Sequence, residues 1–224
     1  MSGMRLRKAD YRLYKEYGKA LELAAIKTIG VAGLCSGAGA TQLCIMLAAF
    51  LGGVLKKKTA VIGDEITYSL MLRQMPQARA IQHKGIGSRH AYNVYGIDYY
   101  CGAQDESIAV LRQQYDIIIQ DISLNNSEDT LARITSKLSG CDVKILAGSM
   151  LPWKSRECEK KIERIDRFLS VKGLKMVTLT TGGKEVIKSI NRYGVKVVLM
   201  PFERNPFMTG SKNLKDFMEL LEIM

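Results

Sequence analysis

Neither a CxxC pair nor a histidine cluster occurs in these 224 residues; Cys35, Cys44, Cys101, Cys141 and Cys158 are scattered, and the only histidines are His83 and His90. The ligand spacings of a structural zinc site are therefore absent. An odd cysteine count without a secretory leader reads as reduced thiols, each a small buried side chain. Long apolar runs are missing as well. The longest, residues 43–55, is too short to span a bilayer and runs into Lys56, Lys57 and Lys58. The N-terminus is basic but has no apolar signal core, so a cytoplasmic protein is expected, at most peripheral to the inner face of a membrane. No repeat, low-complexity tract or linker divides the chain, and 47% hydrophobic residues can bury a full core.

Acidic residues are in the minority. The formal net charge of +11 implies attraction to something acidic: nucleic acid, anionic lipid, nucleotide or an acidic protein. Residues 5–19 hold six basic and two acidic side chains, 154–175 eight and four, 184–196 four and one. Residues 1–24 read as a basic helical segment, with Tyr11, Tyr14, Tyr17 and Leu21 near one face. It would pack on the domain or make weak contact with DNA or anionic membrane. The 154–175 run reads as a solvated helix face, because Glu157 precedes Lys161, and Glu163 precedes Arg167, by four residues. Cys158, Ile162, Ile165, Phe168 and Leu169 would form its buried stripe.

From residue 25 to 224 short apolar runs alternate with helical periodicity. Strands are expected at 26–32, 59–62, 116–120, 144–147, 175–179 and 195–200. Helices are expected at 41–55, 68–74, 105–114 (capped by Asp105, with Glu106 in the first turn), 126–138, 155–171, 184–192 and 214–223. This alternation predicts one α/β domain of three layers, a mostly parallel sheet with helices on both faces. Residues 78–82 and 91–100 would pair around the Gly85–Gly87 turn as a short edge hairpin. Phe217, Leu220, Leu221 and Ile223 read as core-packing positions of the closing helix.

The most informative segment follows the first strand: Leu34, Cys35, Ser36, Gly37, Ala38, Gly39, Ala40, Thr41. Glycines let a backbone wrap phosphate oxygens, and the N-terminus of the next helix aims N–H groups at them. A full phosphate-binding loop reads GxxxxGK[ST]. Gly39 and Thr41 match its end, but Ala40 stands where the lysine belongs. A dinucleotide reading ranks lower: Gly37-Ala38-Gly39 begins GxGxxG, yet Gln42 holds the sixth place.

The segment resembles the deviant P-loop of the MinD/ParA family, GKGGxGKT. Gly37, Gly39 and Thr41 match it outright and Ser36 is a small substitute. Cys35 takes the place of the signature lysine and Ala40 that of the P-loop lysine. Residues 59–65, ending in Asp64 and Glu65, resemble the family's second strand and acidic switch. Residues 115–121 resemble its Walker B strand, with Asp121 at the carboxylate place. Residues 197–202 resemble its last strand and the loop that holds the base. Leu151-Pro152-Trp153 and Asn205-Pro206-Phe207 resemble the pilus-associated branch that includes TadZ and CpaE.

The resemblance implies ATP or ADP with Mg2+. Ser36, Gly37, Ala38, Gly39, Ala40, Thr41 and Gln42 would contact phosphates, and Pro201 and Phe202 the base. Thr41 and Asp121 would hold the metal, and Asp64 would orient water. Each missing lysine removes a charge worth about 3–4 kcal/mol in a transition state, so efficient hydrolysis is not expected. A positioning or assembly factor for a secretion, pilus or polar complex, acting as a homodimer with a protein client, is the expected role. An ATPase that recruits a lysine from elsewhere (Lys27, Lys56 to Lys58 or Lys184) and a DNA-binding partition or conjugation accessory protein are the alternatives.

Overall fold

Residues 28–33 are buried without a break, as the central strand of a sheet covered on both faces must be. The computed structural model describes residues 26–82, 86, 88, 90–103, 107–122, 128–179, 184–200, 203–208 and 213–221. The basic segment 1–24, Asp105, Glu106, Pro201, Phe202, Ile223 and both glycines of the expected Gly85–Gly87 turn lie outside them. In chain order the elements are β1 (Thr28–Gly33), α1 (Ala40–Ala48), β2 (Thr59–Gly63), α2 (Glu65–Arg73), β3 (Arg79–Ala80), β4 (His90–Val94), β5 (Ile97–Cys101), α3 (Ser107–Gln114), β6 (Ile117–Ile122), α4 (Glu128–Ser139), β7 (Val143–Gly148), α5 (Pro152–Asp166), β8 (Lys175–Thr178), α6 (Lys184–Asn191), β9 (Lys196–Leu199) and α7 (Leu214–Leu220).

The strands form one sheet in the order β3-β4-β5-β2-β6-β1-β7-β8-β9. Every pairing from β5 to β9 is parallel, and only the pairings β3–β4 and β4–β5 at one edge are antiparallel, which leaves β4 as the reversed strand. Period-2 alternation sorts the strand side chains. Ala60, Tyr100 and Ile118 pack with Leu111 of α3 on one face, whereas Val61, Tyr99 and Ile119 join the larger core that contains α1. Gly30 lies on the α3 and α4 face, where a Cβ would come within 2.7 Å of Cys141 Sγ and 3.2 Å of Leu138. The three layers expected from the sequence are therefore present.

Three local expectations need correction. The helix expected over 41–55 changes geometry: after α1 the turns of Ala49–Val54 are π-helical, with Leu55 N–H donating to Phe50 O. The segment contains Gly52 and Gly53, poor α-helix formers, and Gly52 approaches Ile97 so closely that a Cβ would meet it at 3.0 Å. The run 91–100 is two strands, not one. Tyr95 (φ 52°) and Gly96 (φ 84°) form a two-residue turn with both φ positive, which closes the β4–β5 hairpin. β3 does pair with β4 as expected. Phe168 is 64% exposed, not buried, because α5 ends at Asp166 and the helical stripe ends with it.

The remainder of α5 follows the sequence. Cys158, Ile162 and Ile165 are buried, and Lys161–Glu157 (2.9 Å) and Arg167–Glu163 (3.2 Å) pair one turn apart. Phe217 of α7 stacks on Phe50 at 5.0 Å, so the closing helix belongs to the core. The buried Lys175 of β8 donates to the Glu219 and Leu220 carbonyls in the last turn of α7, where a helix dipole favours a cation.

Candidate functional site

In a parallel sheet the loops after the carboxyl ends of the strands gather on one edge. Here β1 ends at Gly33, and Leu34 N–H still donates to Ala147 O of β7 at 2.7 Å. The loop then turns through Gly37 (φ 69°) and Gly39 (φ 85°), left-handed conformations that favour glycine. At Gly39 a Cβ would also meet Leu179 Cδ1 at 2.5 Å. Gly39 is the N-cap of α1 and offers no side chain to the first-turn N–H groups, which have no intrahelical partner. They are the ready-made donors for an anion.

These residues wall an open cavity of about 980 Å³, large enough for a nucleotide. Ser36, Gly37, Ala38, Gly39, Ala40, Thr41 and Gln42, all singled out from the sequence, line it, as does Asp121. Thr67 and Met71 of α2, Glu157 and Lys161 of α5, and Glu203, Arg204 and Pro206 complete the walls. Gln42 Nε2 donates to Glu203 O at 2.9 Å, which ties α1 to the segment after β9. Pro201 and Phe202 fall outside the described residues, but their neighbours Glu203 and Arg204 border the cavity.

Thr41 and Asp121 meet as the sequence suggests. Thr41 Oγ1 donates to Asp121 Oδ2 at 2.7 Å, and Tyr68 OH donates to the same oxygen at 3.0 Å. Burial pushes the Asp121 carboxyl above the usual carboxylate range; the two hydroxyl donors pull it back and nearby Asp64 pushes it up further. Among the described residues no group of three or more His, Cys, Asp or Glu side chains could hold a metal ion. A hydroxyl and one carboxylate beside a phosphate cradle suit Mg2+, which keeps several waters and takes its other ligands from phosphates. The residues present therefore fit a magnesium nucleotide.

Asp64 lies at the start of α2. Its Oδ1 accepts from Thr67 N–H at 2.8 Å and caps α2, which begins at Glu65 rather than at residue 68 as the sequence pattern suggests. Asp64 is not among the residues lining the cavity. A signal for this exists in the sequence: an Asp before an acidic first turn is a helix-start pattern.

Two features of the site have no counterpart in the sequence reading. Cys35, at the place of a signature lysine, points inward, and Cys158 of α5 donates its S–H to Cys35 Sγ at 3.7 Å. That contact lowers the Cys35 thiol to about 7 and, together with burial, pushes Cys158 well up. One helical turn earlier Lys154 reaches the same loop, its Nζ 2.5 Å from Ser36 O. The lysines considered from sequence lie elsewhere. Lys27 and Lys56 to Lys58 precede β1 and β2, at the opposite edge of the sheet, and Lys184 opens α6 without lining the cavity.

No protein-family model matches the chain, and no curated protein matches it by sequence. Solved structures do resemble it. The cell-division protein MinD of Aquifex aeolicus, in its complex with MinC, superposes with a TM-score of 0.61 at 14% identity, over 88% of this chain and 96% of that one. Apo McdA of Cyanthece gives 0.60 at 11% identity, over 88% and 98%. A plasmid partition protein of Borrelia burgdorferi bound to AMPPNP gives 0.53 at 15% identity, over 88% and 97%. At such identities the likeness concerns the fold, and the fold is that of the MinD/ParA ATPases. No helix among the described residues is long and apolar enough to cross a membrane.

Proposed function

We propose that the chain is a nucleotide-binding P-loop protein with a degenerate Walker A loop, which holds ATP or ADP with Mg2+ and hydrolyses it poorly at best. The observation that carries this reading is the phosphate cradle with the Thr41–Asp121 pair beside it, where Cys35 and Ala40 replace both loop lysines. Backbone N–H groups from Gly37 to Thr41 would surround phosphate oxygens. The Thr41 hydroxyl and the Asp121 carboxylate would hold the magnesium, and Gln42 and the 203–206 segment would shape the far wall. A bound magnesium ion would offset phosphate charge that the loop itself no longer neutralises.

A protein that binds nucleotide without turning it over serves as a positioning or assembly factor, switched by occupancy. We assign it to a bacterial secretion, pilus or polar complex, as a homodimer that docks a protein client. The branch-level resemblance of Leu151-Pro152-Trp153 and Asn205-Pro206-Phe207 to TadZ and CpaE supports this. So does Trp153, 74% exposed in the first turn of α5, where a partner surface would cover it.

Titration calorimetry with ATP and magnesium, paired with a phosphate-release assay, tests the reading. Micromolar binding with phosphate release at least about a hundredfold below that of lysine-bearing relatives is expected. Turnover at the rate of intact MinD/ParA enzymes would reject it. The +11 charge favours a second reading, a DNA-binding partition or conjugation accessory protein. Fluorescence polarisation with duplex DNA at low salt decides it, since contacts with phosphates weaken steeply as salt rises.

A further inference from the structure

A lysine is missing from the loop, yet a lysine is present at the loop. Lys154 lies in the first turn of α5 and its Nζ donates to the carbonyl of Ser36 at 2.5 Å. A Cβ on Gly37 would come within 3.1 Å of that nitrogen, so the ammonium sits directly over the loop's glycine. An ammonium has three donors. One goes to Ser36, which leaves others for phosphate oxygens.

Lys154 also stands apart from the ion pairs of α5. Among the described residues no carboxylate lies within salt-bridge distance of it, whereas Lys161, two turns along the same helix, is paired with Glu157 at 2.9 Å. A contact made by Cys158, which lies between Lys154 and Lys161 on the helix, explains the arrangement. Cys158 packs on Cys35 and holds α5 against the loop, and Lys154, not itself a lining residue, stands over Gly37, which does line the cavity. Loop and helix each supply a thiol to that contact, and one turn earlier the helix adds a cation over the loop.

We propose that Lys154 is the polyphosphate-binding cation of this site, standing in from α5 for the lysine that Ala40 replaces. The proposal rests on the nucleotide reading above. It names the ligand class as nucleoside di- and triphosphates, whose charge the ammonium meets, over monophosphates. A lysine binds phosphate as a point charge and does not need to come from the loop.

Calorimetry on the full chain with ATP and magnesium, ADP, and AMP separates the possibilities, using wild type, Lys154→Met, Lys154→Arg, Ala40→Lys and the Lys154→Met/Ala40→Lys pair. Lys154→Met keeps the aliphatic stem and should weaken ATP at least about tenfold, ADP less, and AMP by under about threefold. Lys154→Arg should stay within about threefold of wild type, and Ala40→Lys should restore ATP binding in the Met background. Equal loss for ATP, ADP and AMP without rescue by Ala40→Lys would mean that Lys154 only props the Ser36 carbonyl, and overturns the proposal. So does ATP binding by Lys154→Met as tight as by wild type, which leaves the nucleotide reading standing, or binding by Ala40→Lys alone, which overturns that reading as well. Absence of binding in every variant overturns the nucleotide reading and this proposal together. If Lys154→Met loses its cooperative thermal transition, the ATP-to-AMP affinity ratio of Lys154→Gln decides the matter on the same scale.

Discussion

Asp121 is a carboxylate that folding disfavours. Its folded-state pKa lies above the unfolded value, with burial as the first cause. Stability of that sign is fully present below the unfolded pKa of about 3.9 and is lost as the pH rises through the folded value. At neutral pH the ionised group therefore costs the fold something. Asn can place one oxygen where Thr41 and Tyr68 both donate, without the charge. Asp121→Asn should raise Tm at pH 7, with the gain narrowing as the pH falls toward about 4, and should weaken magnesium-dependent nucleotide binding. Thermal melts across that range check it, and a Tm gain independent of pH would contradict the burial explanation. At this scale Thr41 and Asp121 are legible in the sequence because each stands at a fixed offset from a strand end. The contacts of Tyr68, Cys158 and Lys154 are not, since they join residues far apart in sequence: the apolar stripe marks the inward face of α5 but not that the loop lies against it. A solvated face over residues 154–175 describes Arg167 correctly and Lys154 incorrectly for that reason.

Among the elements, α2 depends on one side chain for its start. Removing the Asp64 cap with Asp64→Ala should cost about 1 kcal/mol, whereas Asp64→Asn keeps a capping oxygen and should cost only a few tenths. If Asp64 also orients water, both variants lose whatever slow hydrolysis exists. If it only caps, Asn retains it. Urea denaturation and phosphate release on the same two proteins distinguish the roles. Strands and helices with unbroken periodicity are readable from sequence to within a few residues, as β6 with its run Ile117-Ile118-Ile119 shows. The β4–β5 turn is not. Tyr95 adopts a positive φ that an Asn-Gly turn would announce and a tyrosine does not. The π-helical end of α1 also escapes, because a hydrophobic stripe of period 3.6 does not report where the hydrogen-bond ladder widens.

For the molecule as a whole, occupancy of a cavity built from α1, α2, α5, β6 and the 203–206 segment links elements from every third of the chain. A ligand that binds only the assembled form stabilises it by mass action, about 2.7 kcal/mol at a hundred times Kd. For a chain of this length that is a rise in Tm of roughly 5–10 °C, measurable by scanning with ATP and magnesium and smaller with AMP at the same concentration. The overall architecture is the most legible level of all, because alternating strands and helices leave few arrangements of a parallel sheet. The central position of β1 has one more consequence, for the order of events at the ribosome. β1 is flanked by β6 and β7, Thr41 meets Asp121 across 80 residues, and Ser36 meets Lys154 across 118. The loop is thus translated early and completed late. A nascent chain stalled before residue 117 carries every glycine of the loop but neither strand that flanks β1, nor the cation at the loop's rim. Under the proposed reading, nucleotide capture follows the synthesis of β6, β7 and α5 and cannot precede it.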